Sequence, residues 1–324
     1  MRCIYTNSKE FSSQLNSLKQ EFREGKIEKM DYRNRMYNYH KILFDYSEFL
    51  KDTDINKIEI IDNNVIMTSR QHGIKINCMK GDVRIAPIET LSADYYEKND
   101  TQMIYNLVED NFTVFDIGAN IGWYSIGIAK HKKNISVYSF EPIPKVFENL
   151  KSNLKLNKSS NIKIFNHGFY NENKELTFYY YPDASGYSSN VSFPGKKGFE
   201  KVQCKLIILD EFVNKNKISK INFIKCDVEG AELFVFQGGV KAIERFKPII
   251  LSEISRFNQS KFSYHPNDII KFFKEKGYLC FVANEQGLQE IKTINENTQE
   301  MNAFFLHTKK HSLQISKYSS KKKK

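Results

Sequence analysis

The segment NFTVFDIGANIGWYSIGIAK, residues 111–130, contains the residues of this sequence best suited to holding a ligand. Asp116 ends a short apolar run, and Gly118, Asn120 and Gly122 follow it at every second position. A strand, a glycine turn and a helix in this order bring backbone N–H groups close to a ligand. A dinucleotide-binding loop reads G-x-G-x-x-G, whereas this loop has Asn120 in the middle and a carboxylate before its first glycine. Because a carboxylate repels a pyrophosphate but attracts a cationic amino group, the loop points to S-adenosylmethionine (SAM), although tight turns of other α/β proteins can share the pattern.

Further carboxylates come directly after other predicted strands. Glu141, in SFEPIP, stands 25 positions after Asp116 and is placed to accept both hydroxyl groups of a ribose. Asp227 and Glu229, in KCDVEGAE, follow one strand, and Glu253, in LSEI, follows the next. Carboxylates gathered at one crevice repel one another unless a cationic ligand or a metal ion offsets their charge.

The elements that must position these residues alternate between strands and helices. After the glycine loop the pattern predicts strands at 136–140, 162–166, 221–226, 249–254, 279–282 and 303–306, with helices at 146–156, 231–245 and 267–276. Such alternation predicts a mostly parallel sheet covered on both faces, with ligands at the carboxyl ends of its strands. Between them we predict a hairpin strand at 176–180, a loop at 181–200 that could serve as an acceptor lid, and a short helix at 206–213.

The N-terminal residues have two further patterns. Apolar residues recur with helical spacing over residues 15–50, which predicts a helix that packs within the chain or against a second copy, through Tyr32, Met36, Tyr39, Leu43, Tyr46 and Leu50. Residues 58–89 alternate in four segments and predict an antiparallel meander that could extend the main sheet. We therefore divide the chain into a helical segment, a β extension, a ligand-binding domain and a basic tail, at residues 1–55, 56–92, 93–310 and 311–324.

Composition excludes several classes of protein. The 324 residues are 40% hydrophobic and 14% aromatic, which excludes a disordered chain. The net charge of +11 favours anionic partners such as nucleic acid, anionic lipid or charged glycan. The five cysteines are scattered without a C-x-x-C motif, which argues against a disulfide framework and a cysteine zinc site. No stretch approaches the ~20 apolar residues of a membrane span, so we expect a cytoplasmic protein, with weak attraction of Lys321–Lys324 to an anionic inner membrane surface.

The motifs together resemble the FkbM family of SAM-dependent methyltransferases. The resemblance rests on VFDIGANIGWYSI, SFEPIP, LDEF and FIKCDVEGAE, and it extends from about residue 95 to residue 305. It implies an α/β class I methyltransferase fold, which is Rossmann-like, with a seven-stranded, mostly parallel sheet. It also implies methyl transfer to a hydroxyl group, commonly of a sugar or a secondary metabolite. The first 90 residues lie outside the resemblance.

The resemblance also implies a cofactor site at the glycine loop and the turns beside it. The methionine end of SAM would contact Asp116, Gly118, Asn120 and Gly122. Glu141 would hold the ribose, and the turn at His167 and Gly168 would border the adenine.

A hydroxyl acceptor needs a general base within hydrogen-bond reach. The candidates are Asp227, Glu229, Glu253 and His265. We predict Glu229, because Asp227 is closer to its strand and better placed to contact SAM. His265 precedes Pro266 at a helix start and could instead cap that helix. The sequence lacks an Asp-Asn pair after the fifth strand, so we predict no metal site, although the carboxylates leave a magnesium ion as the lesser alternative.

Three other functions fit parts of the pattern. An RNA methyltransferase would also be basic, but no N-P-P-Y-type motif occurs and we do not expect a nucleic-acid partner. A non-catalytic assembly or membrane-adaptor module would explain the N-terminal helix and the basic tail, but not the glycine loop. A nicotinamide-dependent sugar enzyme is disfavoured by Asn120. We therefore predict an enzyme that methylates a hydroxyl group of a sugar, a glycan or a related metabolite.

Overall fold

The computed structural model of the chain describes residues 8–296, 298 and 301–319. Contacts within the chain divide it into two compact units, residues 1–53 and 54–324.

The first unit is a set of helices rather than the single helix predicted for residues 15–50. Its helices are α1 (Ser8–Arg23), α2 (Lys29–His40) and α3 (Ile42–Phe49), followed by a 3-10 turn at Leu50–Asp52. Gly25, with a φ of 69°, lies in the turn that separates α1 from α2. Phe22 of α1 stacks on Tyr32 of α2 with ring centroids 4.3 Å apart. The predicted apolar stripe is divided at Lys41, between α2 and α3, and its later members Leu43 and Tyr46 are exposed.

The second unit is built on an eight-stranded sheet, counted over the described residues. Its strands are β4 (Thr113–Ile117), β5 (Ser136–Phe140), β6 (Ile162–Phe165), β10 (Phe223–Cys226), β11 (Ile249–Ile254), β12 (Tyr278–Asn284), β13 (Gly287–Ile291) and β14 (Met301–His307). Their order is β13-β12-β14-β11-β10-β4-β5-β6. The pairs from β6 to β11 are parallel, whereas β14 and β13 run antiparallel to their neighbours. This is the class I methyltransferase fold, and β13, which returns along β12, is one strand more than the seven predicted.

Helices cover both faces of this sheet. They are α4 (Ala86–Ala93), α5 (Lys98–Leu107), α6 (Trp123–His131), α7 (Pro144–Asn157), α8 (Leu209–Lys215), α9 (Glu232–Gly238), α10 (Val240–Phe246), α11 (Arg256–Ser260), α12 (Pro266–Glu275) and α13 (Ser312–Tyr318). Successive strand residues belong to different apolar clusters, as Val114 and Phe115 do in β4. Because side chains alternate along a strand, the sheet is buried on both faces. The single helix predicted for 231–245 is two helices that meet at Gly239.

The predicted meander is present as a separate sheet. It consists of β1 (Ile55–Ile61), β2 (Asn64–Ser69) and β3 (Lys75–Cys78). The open edge of β3 is satisfied by α7, because Asn157 accepts from the Lys75 N–H and Asn153 from the Asn77 N–H, each at 2.9 Å. The fourth predicted strand is wrong: Pro87, which lacks an N–H to donate to a sheet, lies in the first turn of α4.

A third sheet stands beside the carboxyl end of β6. It contains β7 (Gly168–Tyr170), β8 (Lys174–Tyr180) and β9 (Glu200–Ile208) in the order β7-β9-β8. The helix predicted at 206–213 is wrong at its start, because β9 continues to Ile208 and α8 begins at Leu209. The predicted loop at 181–200 is thus the connection between two antiparallel strands.

The cysteines, the membrane spans and the basic tail are the remaining subjects of prediction. Among the described residues, Cys78, Cys204, Cys226 and Cys280 are free cysteines. Within the part of the chain that the structure describes, no helix is long and apolar enough to cross a membrane. The first part of the predicted basic tail forms α13, whose Tyr318 hydroxyl donates to the carbonyl of Asn106 at 3.1 Å. Lys321–Lys324 lie outside the described residues.

Candidate active site

One cavity opens at the carboxyl ends of β4, β5, β10 and β11, where the sequence places its ligand-binding residues. The other walls come from two parts of the second unit: the residues between β3 and α5, and the connection between β8 and β9. The lining includes Arg84, Glu89, Tyr96, Glu97, Gly118, Ala119, Asn120, Trp123, Tyr124, Glu141, Gly168, Phe169, Ser185, Lys225, Asp227, Glu229 and Glu253.

The two glycines of the loop are required by packing within the protein. Gly118 has a φ of 76°, and a Cβ there would lie 1.8 Å from the carbonyl oxygen of Asp227. Gly122 has a φ of 90°, and a Cβ there would lie 2.5 Å from Leu150 of α7. Gly118 and Asn120 line the cavity, but the described lining residues do not include Gly122. Gly122 was expected to approach the ligand, whereas in the structure it allows α6 to pack closely on α7.

Glu141 is held beside this loop by backbone groups. One carboxylate oxygen accepts from the Asn120 N–H at 3.0 Å, and the other accepts from the Ile143 N–H at 2.9 Å. Burial raises the pKa of Glu141 to about 7, although both backbone N–H groups and Lys225 oppose the shift. A carboxylate has about four acceptor positions, so two remain for hydroxyl groups of a ligand.

The wall next to Glu141 is apolar. Gly168 lies there, and the side chains around it are Pro142, Ile143, Val146, Phe169, Phe178 and Leu206. A carboxylate with spare acceptor positions beside an apolar slot fits a nucleoside, whose ribose is polar and whose base is planar. The residues present therefore fit the adenosine part of SAM.

His167 lies outside this slot. Its ring is surrounded by aromatic rings, with centroids 5.6 Å from Phe140 and Phe212 and 5.8 Å from Phe165. Burial lowers its pKa. In extended chain, successive side chains point to opposite sides, so His167 faces the aromatic cluster while Gly168 faces the cavity. The structure does not support contact of His167 with the adenine.

Asp116 lies beneath the glycine loop and is 1% exposed. The Ser125 hydroxyl donates to one of its oxygens, and Lys225 Nζ lies 3.8 Å from the other. Burial raises the pKa of Asp116, while Lys225 and Ser125 oppose the shift. Among the described residues that line the cavity, Asp116 does not occur. It supports the loop from below, which replaces the expectation that its carboxylate contacts the ligand.

Lys225 joins the ends of β4 and β10 from within the protein. Its Nζ lies 3.1 Å from Asp227 Oδ2 and donates to the carbonyl oxygen of Gly118 at 3.4 Å. Burial lowers its pKa, but Asp227 and Asp116 outweigh burial and hold the pKa above its ordinary value. None of the sequence motifs predicts a role for this residue. Its signal in the sequence is a lysine inside the otherwise apolar, fully buried strand FIKC.

The structure brings three of the predicted carboxylates together. Oxygens of Asp227, Glu229 and Glu253 lie within 4.8 Å of one another, close enough to share a metal ion. The amide nitrogen of Asn258 donates to Glu229 at 2.9 Å and to Glu253 at 3.5 Å, which offsets part of their charge. A carboxylate of α9, Glu232, accepts from the N–H groups on both sides of Glu229 and fixes the loop that presents it.

His265 is separate from this cluster. Its Nδ1 accepts from the N–H of Asn267 at 3.1 Å, and its own backbone N–H donates to Asp268 at 3.0 Å. His265 and Asp268 form a capping box at the start of α12. His265 is exposed and is not among the described lining residues. Helix capping, rather than catalysis, accounts for it.

Two residues before α5 are part of the site although no motif marks them. Tyr96 and Glu97 line the cavity next to Trp123 and Tyr124, the first residues of α6. The Tyr124 hydroxyl donates to the Glu97 carboxylate. Their place depends on packing against the first turn of α6, for which the sequence ADYYEKND gives no local signal.

The segment predicted as a lid is anchored where it meets the cavity. The Ser185 N–H donates to the buried Asp82 carboxylate at 3.2 Å. Tyr181 is fully buried, and its hydroxyl accepts from the Phe193 N–H at 2.8 Å. Ser185, Gly186, Ser188 and Asn190 of this segment line the cavity, so it forms a wall of the site, and its movement as a lid stays a prediction.

Comparison with known proteins gives consistent matches. The family model described as "Methyltransferase FkbM domain" matches residues 116–280 of this chain. A hexuronic acid methyltransferase, AglP, of Haloferax volcanii is 28% identical over 179 residues, which cover 55% of this chain and 68% of that protein. The methyltransferase sdnD of Sordaria araneosa is 29% identical over 163 residues, covering 42% of this chain and 62% of that protein. A crystal structure of methyltransferase FkbM from Methylobacillus flagellatus is 16% identical, with a TM-score of 0.43, and covers 70% of this chain and 56% of that chain. This chain thus spans less than two thirds of the last two proteins.

Proposed function

This chain belongs to the FkbM family of methyltransferases, and we propose that it transfers the methyl group of SAM to a hydroxyl group of a sugar or glycan. The observation that carries the proposal is Glu141, which is fixed by two backbone N–H groups beside an apolar slot and the loop that holds Gly118 and Asn120. This arrangement supports binding of adenosine through its ribose hydroxyls.

SAM, when bound, supplies a methyl group activated by a sulfonium. The residues of the chain then have two tasks: to align the acceptor oxygen with the methyl carbon and the sulfur, and to remove the hydroxyl proton. Alignment is a matter of positioning, to which the anchored wall at residues 185–190 and the glycine loop contribute.

We propose Glu229 as the group that takes the proton. It lines the cavity, Asn258 orients one of its oxygens, and Glu232 fixes the backbone on either side of it. Its φ of 57° is unusual for a residue with a side chain, so the loop holds it in a conformation that the chain would not adopt without these contacts. Glu253, bridged by the same asparagine, is the second candidate.

The mouth of the cavity supports a polyol acceptor. Arg84 pairs with Glu89 at 3.1 Å and lies 4.7 Å from the ring of Tyr187, while Glu229 and Glu253 provide acceptors. Neighbouring donors and acceptors of this kind can hold several hydroxyl groups at once. The name of the archaeal relative, a hexuronic acid methyltransferase, also favours a sugar acceptor.

The test is incubation of the purified protein with methyl-labelled SAM and separate glycan, lipid and RNA fractions. We expect label in a glycan or glycolipid fraction, with mass spectrometry locating an O-methyl group on the sugar. Label confined to RNA would exclude the sugar acceptor. Absence of S-adenosylhomocysteine (SAH) binding in calorimetry would exclude the SAM-dependent function itself and favour a non-catalytic module.

A further inference from the structure

A buried hydrogen-bond donor without an acceptor lies in the wall of the cavity. Trp123, the first residue of α6, is 6% exposed and lines the cavity. Among the described residues, no atom accepts a hydrogen bond from its Nε1. Indole nitrogen is a donor only, and a buried donor left unpaired is unfavourable. A ligand with an acceptor atom at this position would remove that cost.

A partly buried carboxylate lines the same cavity. Glu97 lines the same cavity just before α5, and the Tyr124 hydroxyl donates to one of its oxygens. A carboxylate has further acceptor positions beyond the one that a single hydroxyl occupies. Burial raises the pKa of Glu97 to about 7, although the Tyr124 hydroxyl and Lys225 oppose the shift. A cationic donor from a ligand would stabilise the ionised form.

Tyr96 connects these two groups. Its ring centroid lies 6.0 Å from that of Trp123 and 6.1 Å from that of Tyr124. Tyr124 follows Trp123 in α6 and binds Glu97, so the indole and the carboxylate line the cavity at adjacent residues of one helix. Asp227, the other carboxylate near this wall, is paired with Lys225 at 3.1 Å, so its charge is already offset.

We propose that Trp123 and Glu97 bind the amino-acid end of the cofactor, with the indole N–H donating to its carboxylate and Glu97 accepting from its ammonium group. The methionine moiety of SAM carries both groups on one carbon, which matches a donor on Trp123 and an acceptor held by the next residue, Tyr124, in the lining of one cavity. The inference rests on the proposed function, and it adds two ligand-binding residues outside the carboxylates at the strand ends.

The test uses calorimetry with four probes on the full chain. The probes are SAH, 5′-methylthioadenosine, which lacks the amino-acid end, and two SAH analogues, one without the amino group and one without the carboxyl group. Trp123→Phe keeps the aromatic packing and loses the N–H, and Glu97→Gln keeps the acceptor for Tyr124 and loses the charge. Each should weaken SAH binding by about ten- to a hundred-fold, the range for hydrogen bonds to charged groups.

The analogues separate the two contacts. Trp123→Phe should weaken binding of the carboxyl-bearing analogue and spare the amine-bearing one, and Glu97→Gln should do the reverse. Both variants should bind 5′-methylthioadenosine as the wild type does, which also shows that the site has folded. Equal loss for all four probes, or unchanged SAH affinity in both variants, overturns the inference while the proposed function stands. Failure of the wild type to bind SAH overturns both.

Discussion

Replacement of Glu97 by glutamine should stabilise the ligand-free protein, and the gain should depend on pH. Burial of part of the side chain raises the pKa of the Glu97 carboxyl group from the ordinary 4.5 to about 7. A raised carboxyl pKa contributes stability below 4.5, and that contribution is lost as pH rises through 7. At about 1.4 kcal/mol for each pKa unit, ionisation of Glu97 destabilises the wild type at pH 9 by up to about 3 kcal/mol. Glutamine cannot ionise, and its carbonyl oxygen can still accept from Tyr124.

The assay is urea denaturation of the wild type and Glu97→Gln at pH 5 and pH 9, without ligand. At pH 5 the advantage of the variant should fall to about 1 kcal/mol, because Glu97 is then neutral in the fold but already partly ionised in the unfolded chain. At pH 9 the variant should unfold at higher urea concentration, with an unchanged slope. Glu285→Gln, an exposed position in the β12–β13 turn, is the matched control and should show no such difference. The reasoning is refuted if the difference in free energy of unfolding between variant and wild type is the same at both pH values. It is also refuted if the variant is less stable than the wild type at pH 9.

Four further predictions concern the site and the tail. Glu141→Ala should weaken SAH binding by about 1–3 kcal/mol in calorimetry, because charge-assisted bonds to the ribose are lost; unchanged affinity would contradict the ribose assignment. Glu229→Gln should bind SAH normally and lose a factor of about 10²–10⁴ in turnover, whereas near wild-type turnover would transfer the role to Glu253. His265→Ala should leave turnover unchanged and lower the free energy of unfolding by about 0.5–2 kcal/mol, as loss of a helix cap does; an inactive variant that still binds SAH would restore its catalytic candidacy. Deletion of Lys321–Lys324 should reduce pelleting with anionic liposomes at low salt, at about 1 kcal/mol for each lysine; identical pelleting would leave the tail a solubilising end.

The positions of the main strands along the chain and the place of the site could be predicted because both follow from local patterns. Short apolar runs, typical of strands, alternate along the chain with segments of helical spacing, and this alternation indicates a parallel sheet. The carboxyl ends of parallel strands meet at one edge of the sheet. Glu141, Asp227, Glu229 and Glu253 therefore line one cavity, as their positions after strands predict. Short strands between turns gave weaker signals. β9 was partly predicted as helix, because its pairing with β8 and β7 is not visible in its own residues.

The sequence by itself determined which residues are near the cavity, and the tertiary structure decided which of them face it. Asp116 and Lys225 both lie on strands that lead to the site, yet Asp116 is buried under the loop while Lys225 reaches the lining. His167 turns toward aromatic rings that come from distant parts of the chain. Tyr96 and Glu97 belong to a different segment from Trp123 and Tyr124, and they meet only because the residues before α5 pack against the first turn of α6. The periodicity of apolar residues determines whether a side chain is buried. Which residues a buried side chain contacts is determined by packing between segments that are distant in the sequence.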